Sequence, residues 1–342
     1  NSMKNLLFAI ILSAFAVSSM ADEGRVVYSA AYEDIYQYKT GKIINVEING
    51  SELSVYGLFL DADCIKGTID GDKLTIAKDQ YLGKYTDPMG DTYTLYAIPC
   101  DLRYNEQGDF YYTVATNQDM VLSYDAESKS FAYNGYIATS PYKSADYRDN
   151  YVSVVRFPEF KPFTEVAATP LDPGFFSYSD FDPMKGYGYV NGNVPARDVD
   201  GNFILPEKTY FKVYFDDNLF TFTPKQYSFL KDDMTEVPLG YYDNYDFFQG
   251  GYFFFYETDY KRIVLQGIYK GNGETRVSNI VYTDGSVIPA GVTTIASDDK
   301  EVASVAYTDL QGRSISKPAS GLYIQTEVYT DGSRKSIIKK IK

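Results

Sequence analysis

The sequence predicts an all-β protein, and three observations predict it. Tyr and Phe are very frequent, at 35 and 22 of 342 residues, and both are favoured in strands. Gly and Asn recur in short turn-forming clusters between brief apolar runs. Long Leu, Ala, Glu and Lys stretches at helical spacing are missing, so little helix is expected. The length allows two ordinary domains with cores of their own, plus a small module.

The elements follow in order. Met3-Lys4-Asn5 supplies a short positive region, Leu6 to Val17 is apolar apart from Ser13, and Ser19-Met20-Ala21 is a small-x-small site before Asp22. Residues 3–21 therefore read as a secretory signal peptide. The apolar run is about a dozen residues, short of the roughly 20 that span a bilayer. No later segment comes close, so no membrane span is expected.

Residues 26–160 read as an antiparallel β domain, a sandwich or a barrel. Tyr28, Tyr32 and Tyr36 are spaced four apart, which fits a helical stripe and equally a β edge. From Lys42 the pattern sharpens: Ile44, Val46 and Ile48 alternate, Asn49-Gly50 turns the chain, and Leu53 and Val55 lead back, a hairpin. A second hairpin turns at Asp70-Gly71-Asp72. Further strands are expected at Tyr93–Ile98, Asp109–Thr116, Met120–Tyr124, Ser130–Ala138 and Tyr151–Arg156. The stretch from Phe157 to Phe163, with Pro158 and Pro162, ends the domain, and residues 167–173 read as a linker because proline cannot donate to a ladder.

Residues 167–285 hold strands expected at Gly188–Val194, Thr209–Phe215, Leu219–Thr223, Gly251–Glu257, Arg262–Tyr269 and Thr275–Tyr282, with Lys270 to Glu274 as a hairpin turn. That cadence resembles fibronectin III and immunoglobulin-like modules. Pro289 and the Ser297-Asp298-Asp299-Lys300-Glu301 run form a spacer. In residues 303–342, Tyr307, the Asp309-Leu310-Gln311-Gly312-Arg313 turn, Gly321-Leu322-Tyr323-Ile324, the Asp331-Gly332 turn and a lysine-ended strand follow one another. This order resembles the C-terminal sorting domain of type IX secretion cargo in the Bacteroidota. The resemblance implies delivery to the cell surface or beyond, with the secretion machinery as a partner.

Composition excludes several functions. The formal net charge is −14, and residues 5–300 carry about −18 because the C-terminal module is basic. Such a body repels phosphates, and no basic stripe is present, so no nucleic-acid partner is expected. There is no histidine and no tryptophan. That removes His-based triads and zinc sites and leaves tyrosine as the main aromatic for recognition. No catalytic, cofactor or metal motif is read. The turn Asp198-Val199-Asp200-Gly201-Asn202 lacks the remaining spaced ligands of a calcium loop and reads as a strand connection.

Cys64 and Cys100 are the only cysteines, in a chain expected to reach an oxidising compartment, and are candidates for a disulfide or for two buried thiols. Tyrosines crowd two stretches, Tyr142, Tyr147 and Tyr151 with Arg148, and Leu239–Tyr256. In the second, Tyr241, Tyr242, Asp243, Tyr245 and Asp246 combine flat rings with acceptors, which suits a glycan or protein ligand. Alternation would bury half of such rings as core. The chain is expected to be an exported, non-catalytic protein of the cell surface or extracellular space, or alternatively of the periplasm, binding a glycan or a host or cell-surface protein. The alternatives are an accessory or carboxylate-dependent glycan hydrolase and a structural scaffold.

Overall fold

The computed structural model describes residues 24–35, 37–216, 218–227, 230–238, 252–289, 302–308, 314–316, 321–329 and 334–341. They are almost entirely β-structure, as the aromatic and turn-rich composition requires. The only helical elements among them are two single 3-10 turns, Ser144–Asp146 and Pro206–Lys208. No helix of the described residues is long and apolar enough to cross a membrane.

The first sheet contains β1 (Val26–Asp34), β2 (Lys39–Asn49), β3 (Glu52–Tyr56), β4 (Cys64–Asp70), β5 (Lys73–Ile76), β6 (Gln80–Thr86), β7 (Thr92–Tyr104), β8 (Phe110–Ala115), β9 (Met120–Asp125), β10 (Ser130–Ala132), β11 (Tyr136–Ser140) and β12 (Ser153–Pro162). Eight of them, in the order β1-β2-β3-β4-β5-β9-β10-β12, close into a barrel-like ring because β12 pairs back onto β1. The helical alternative for Tyr28 and Tyr32 is thereby settled: both lie on β1. Inward positions alternate along each strand, and Tyr28, Ile44, Val46, Leu53, Leu74, Leu122 and Phe160 fill one core. Gly50 and Gly71 take positive φ of 61° at the two hairpin turns, a conformation that glycine adopts without penalty.

Two sequence expectations are corrected within this sheet. The predicted strand Ser130–Ala138 is two strands, β10 and β11, separated around Gly135. The stretch with Pro158 and Pro162 does not end the sheet but completes it as the second half of β12. Phe157 sits at positive φ beside an irregularity in the β1–β12 register, and its N–H donates to the Gly135 carbonyl. At such a bulge the ladder needs no donor from Pro158, whose carbonyl accepts from the Tyr133 N–H instead.

Beyond β12, the strands β11, β7, β6 and β8 extend the sheet as a flange. One edge of the 13-residue β7 pairs with β11. The other carries β6 along its first half and β8 along its second.

The second region holds β13 (Gly174–Asp182), β14 (Tyr187–Asn193), β15 (Thr209–Phe215), β16 (Asn218–Leu219), β17 (Val237–Pro238), β18 (Tyr252–Phe255), β19 (Ile263–Gly271), β20 (Glu274–Tyr282) and β21 (Val287–Ile288). They form a three-stranded sheet, β13-β14-β18, and a six-stranded one, β16-β15-β19-β20-β21 with β17 on β15. Val190, Phe211, Val213, Phe222, Phe253, Phe255 and Leu265 make a core shared by both. Strand β13 has no counterpart in the sequence reading. The last sheet is β23-β22-β24-β25, from β22 (Val302–Thr308), β23 (Ser314–Ile315), β24 (Gly321–Tyr329) and β25 (Arg334–Ile341).

The first two regions meet at a packed seam. Ala31 and Ile43 of the barrel and Phe163 of the connection pack with Ala168, Ala196, Phe203, Ile204, Leu205 and Tyr269. Arg197 is buried there; its guanidinium donates to the carbonyls of Thr40 at 2.9 Å and Ala196 at 2.8 Å.

Candidate functional site

The flange presents the most conspicuous polar-aromatic surface among the described residues. On β7, Leu95 and Ala97 belong to the core, so Tyr96 between them points outward. Its register partner on β6 is Tyr81, on the same face, and the two rings meet edge to face with centroids 6.4 Å apart. Tyr81 is 58% exposed. Lys143 lies over the Tyr96 ring at 5.4 Å, within cation–π range. Tyr142, next to it, is 37% exposed.

The loop bearing Tyr142 and Lys143 is built rather than loose. Asp79, just ahead of β6, accepts from the Ser144 N–H at 2.7 Å and the Ser144 hydroxyl at 2.6 Å, anchoring the 3-10 turn. The Ser140 hydroxyl accepts from the Tyr142 N–H at 3.0 Å and donates to the Asn150 carbonyl at 2.7 Å. Further along β7, Tyr111 and Tyr112 of β8 form another edge-to-face pair at 5.1 Å, with Tyr111 70% exposed. Of the strongly exposed tyrosines, Tyr81, Tyr93, Tyr104, Tyr111, Tyr112 and Tyr142 all fall on the flange or its loop, against Tyr178 and Tyr256 elsewhere. Exposed rings, each with a hydroxyl at its edge, suit stacking on sugar rings or a flat polar partner.

The predicted tyrosine group at 142–151 divides. Tyr142 faces solvent, whereas the Tyr147 hydroxyl meets the Thr113 hydroxyl and Tyr151 packs against the apolar cluster of Cys100, Leu102, Ala138 and Val154. Burial, with Cys100 and Asp149 nearby, raises the Tyr147 phenol well above its usual value. The other predicted group, Tyr241, Tyr242, Asp243, Tyr245 and Asp246, lies outside the described residues. Of its flanks, Phe253 and Phe255 are buried core and Tyr256 is exposed.

The candidate disulfide between Cys64 and Cys100 is not formed. Both thiols are free, and their strands, β4 and β7, are not neighbours in the sheet. Cys64 is half-buried; Cys100 is buried, and its thiol is pushed up to about 12, chiefly by loss of hydration and then by Asp101. A bridge requires Cα atoms within roughly 7 Å, which a shared span of sequence does not supply. Asp198, in the acidic turn, spends its carboxylate on the chain itself: one oxygen accepts from the Asp200 and Asn202 N–H groups, the other from the Asn202 amide. Among the described residues no group of three or more potential ligands is placed to hold a metal ion.

No family model matches the chain, and no match is found among curated proteins or solved structures.

Proposed function

We propose that the chain is an exported, non-catalytic binding protein of the cell surface or extracellular space, and that it takes a glycan on the tyrosine face of the flange. The observation that carries this reading is the set Tyr81, Tyr96 and Tyr142 with Lys143, the last two carried by a loop that backbone hydrogen bonds at Tyr142 and Ser144 anchor. Rings kept rigid lose little entropy on binding, and their hydroxyls satisfy sugar hydroxyls that would otherwise be desolvated. The net charge of −14 disfavours polyanions as partners of the body as a whole. Export is supported by the leader-like residues 3–21 and by the resemblance of residues 303–342 to type IX sorting domains. Two antiparallel sheets about one core in the second region support a fibronectin III-like module, a fold that names no ligand by itself.

Glycan and protein arrays probed with the chain from Asp22 onward test this. The expected result is glycan binding that is lost in the triple variant Tyr81→Ala, Tyr96→Ala, Tyr142→Ala while the melting temperature stays nearly unchanged. The triple variant Tyr241→Ala, Tyr242→Ala, Tyr245→Ala serves as the comparison. Loss confined to that second variant moves the site to the 239–256 stretch, and binding confined to the protein array overturns the glycan reading.

A further inference from the structure

We propose that Lys143 gates the tyrosine face: in the free protein its side chain covers the Tyr96 ring, and a sugar that stacks on that ring must first displace it. The inference rests on the reading of this face as a glycan site and adds how access to it is controlled.

The gate is positioned by Asp79. This residue takes a positive φ of 62°, which aspartate tolerates better than most side chains, and its N–H donates to the carbonyl of Ala97, next to Tyr96, at 3.0 Å. Two residues further on, β6 presents Tyr81. Asp79 Oδ1 also accepts from the Ser144 N–H at 2.7 Å and from the Ser144 hydroxyl at 2.6 Å, and Ser144 is buried. Bonds that fix Ser144 fix the start of the preceding side chain, so one carboxylate sets Tyr81 and Lys143 against the same stretch of β7. The Lys143 backbone is extended, with φ −74° and ψ 160°.

From that position the Lys143 ammonium lies over the Tyr96 ring, 5.4 Å from its centroid. Lys143 is exposed, and among the described residues its ammonium makes no hydrogen bond or ion pair, so the ring is what holds it. The hold is weak. A cation on an exposed ring changes an equilibrium about two- to fivefold, enough to keep the ring covered more often than not and too little to exclude a ligand. A sugar stacks through the flat face of a ring, and cation and sugar cannot share that face. Tyr81, 58% exposed and in edge-to-face contact with Tyr96, carries no cation among the described residues and is the open ring of the pair. In the loop and its latch, Lys143 and Arg148 stand against Asp79, Asp146 and Asp149. The surroundings therefore hold no net positive charge, no acidic sugar is favoured, and the gate applies to an uncharged one.

The experiment uses the full chain with isotope-labelled lysine, the variants Lys143→Ala and Lys143→Arg, and methyl β-glucopyranoside as the uncharged probe. The Lys143 side-chain NMR signal is assigned by its loss in Lys143→Arg. In the free protein its ε-methylene protons are expected upfield of other lysines, through the ring current of Tyr96, and at the ordinary position in Tyr96→Leu. The glycoside is expected to move them to the ordinary position too, and to bind Lys143→Ala about two- to fivefold more tightly than the unaltered chain. No gain is expected in Lys143→Arg, whose guanidinium stacks on the ring in turn. Unshifted Lys143 protons, or equal or weaker binding by Lys143→Ala, overturn the gate and leave the glycan reading standing. Failure of the glycoside to bind any of the three proteins overturns the gate and the glycan reading together.

Discussion

At the scale of single residues, the most heavily used side chain among the described residues is Asp63. Two oxygens accept four N–H groups of one loop, so its carboxylate replaces the secondary structure that residues 57–60 do not form. Asp63→Asn keeps the size but leaves a single acceptor atom, and turns an amide NH2 toward two N–H donors. With donors left unsatisfied in a buried site, the loss is about 2–3 kcal/mol. Urea unfolding of Asp63→Asn measures it, and a change under half a kilocalorie would mean that the loop finds other partners. No periodicity announces this role, because Gly57 to Asp63 alternates with nothing and pairs with no strand. The same holds for Tyr96 and Tyr142: tyrosine density is legible in sequence, but which rings face water depends on where Leu95 and Ala97 find a core.

At the scale of elements, hairpins were legible where the chain itself encodes them. Asn49-Gly50 and Asp70-Gly71 demand positive φ, and alternation on either side fixes the inward set. Elements defined by distant partners were not. Strand β12 carries prolines that argue against a strand locally, yet pairing with β1 across more than a hundred residues outweighs them. Strand pairing in the second region has a similar long-range clamp. Glu236, beside β17, ion-pairs with Lys270 of β19 at 2.6 Å and with Lys212 of β15 at 3.0 Å. The Lys270 hydrogen bond first, then Lys212, holds its carboxyl below the ordinary value of 4.5. A carboxyl depressed in the folded state contributes stability above its unfolded value and loses it as pH falls through the folded one. Glu236→Gln is expected to cost roughly 0.5–1 kcal/mol near neutral pH, given partial exposure. Denaturant titrations of both proteins should show that gap closing as pH drops below 4.5; a gap that persists in acid would assign the loss to packing instead.

At the scale of the whole molecule, the all-β class follows from composition, whereas the coupling of the first two regions does not. A proline-bearing connection suggests independent domains, and the seam contradicts that expectation through residues that look unremarkable in sequence. Gly41 lies within β2, where a Cβ would stand 2.4 Å from the Ala30 carbonyl oxygen and 2.6 Å from the Phe203 ring. Glycine there lets a ring of the second region lie directly against a barrel strand. Beside it, the Ala196 N–H donates to the Lys39 carbonyl at 3.1 Å, and Arg197 reaches across to Thr40. Loss of hydration lowers the pKa of the Arg197 guanidinium, with Glu159 and Glu33 acting in the opposite direction. A buried cation that donates to the Thr40 and Tyr32 carbonyls of the other region joins the two in one cooperative unit. Arg197→Met preserves most of the apolar stem while removing those bonds, so the regions should come apart energetically without either losing its own core. Calorimetry of the unaltered chain is expected to give coincident melting of residues 24–289, and Arg197→Met two separated transitions, the first at lower temperature. Two transitions already present before substitution, or one transition unmoved after it, would show that Arg197 does not carry the coupling.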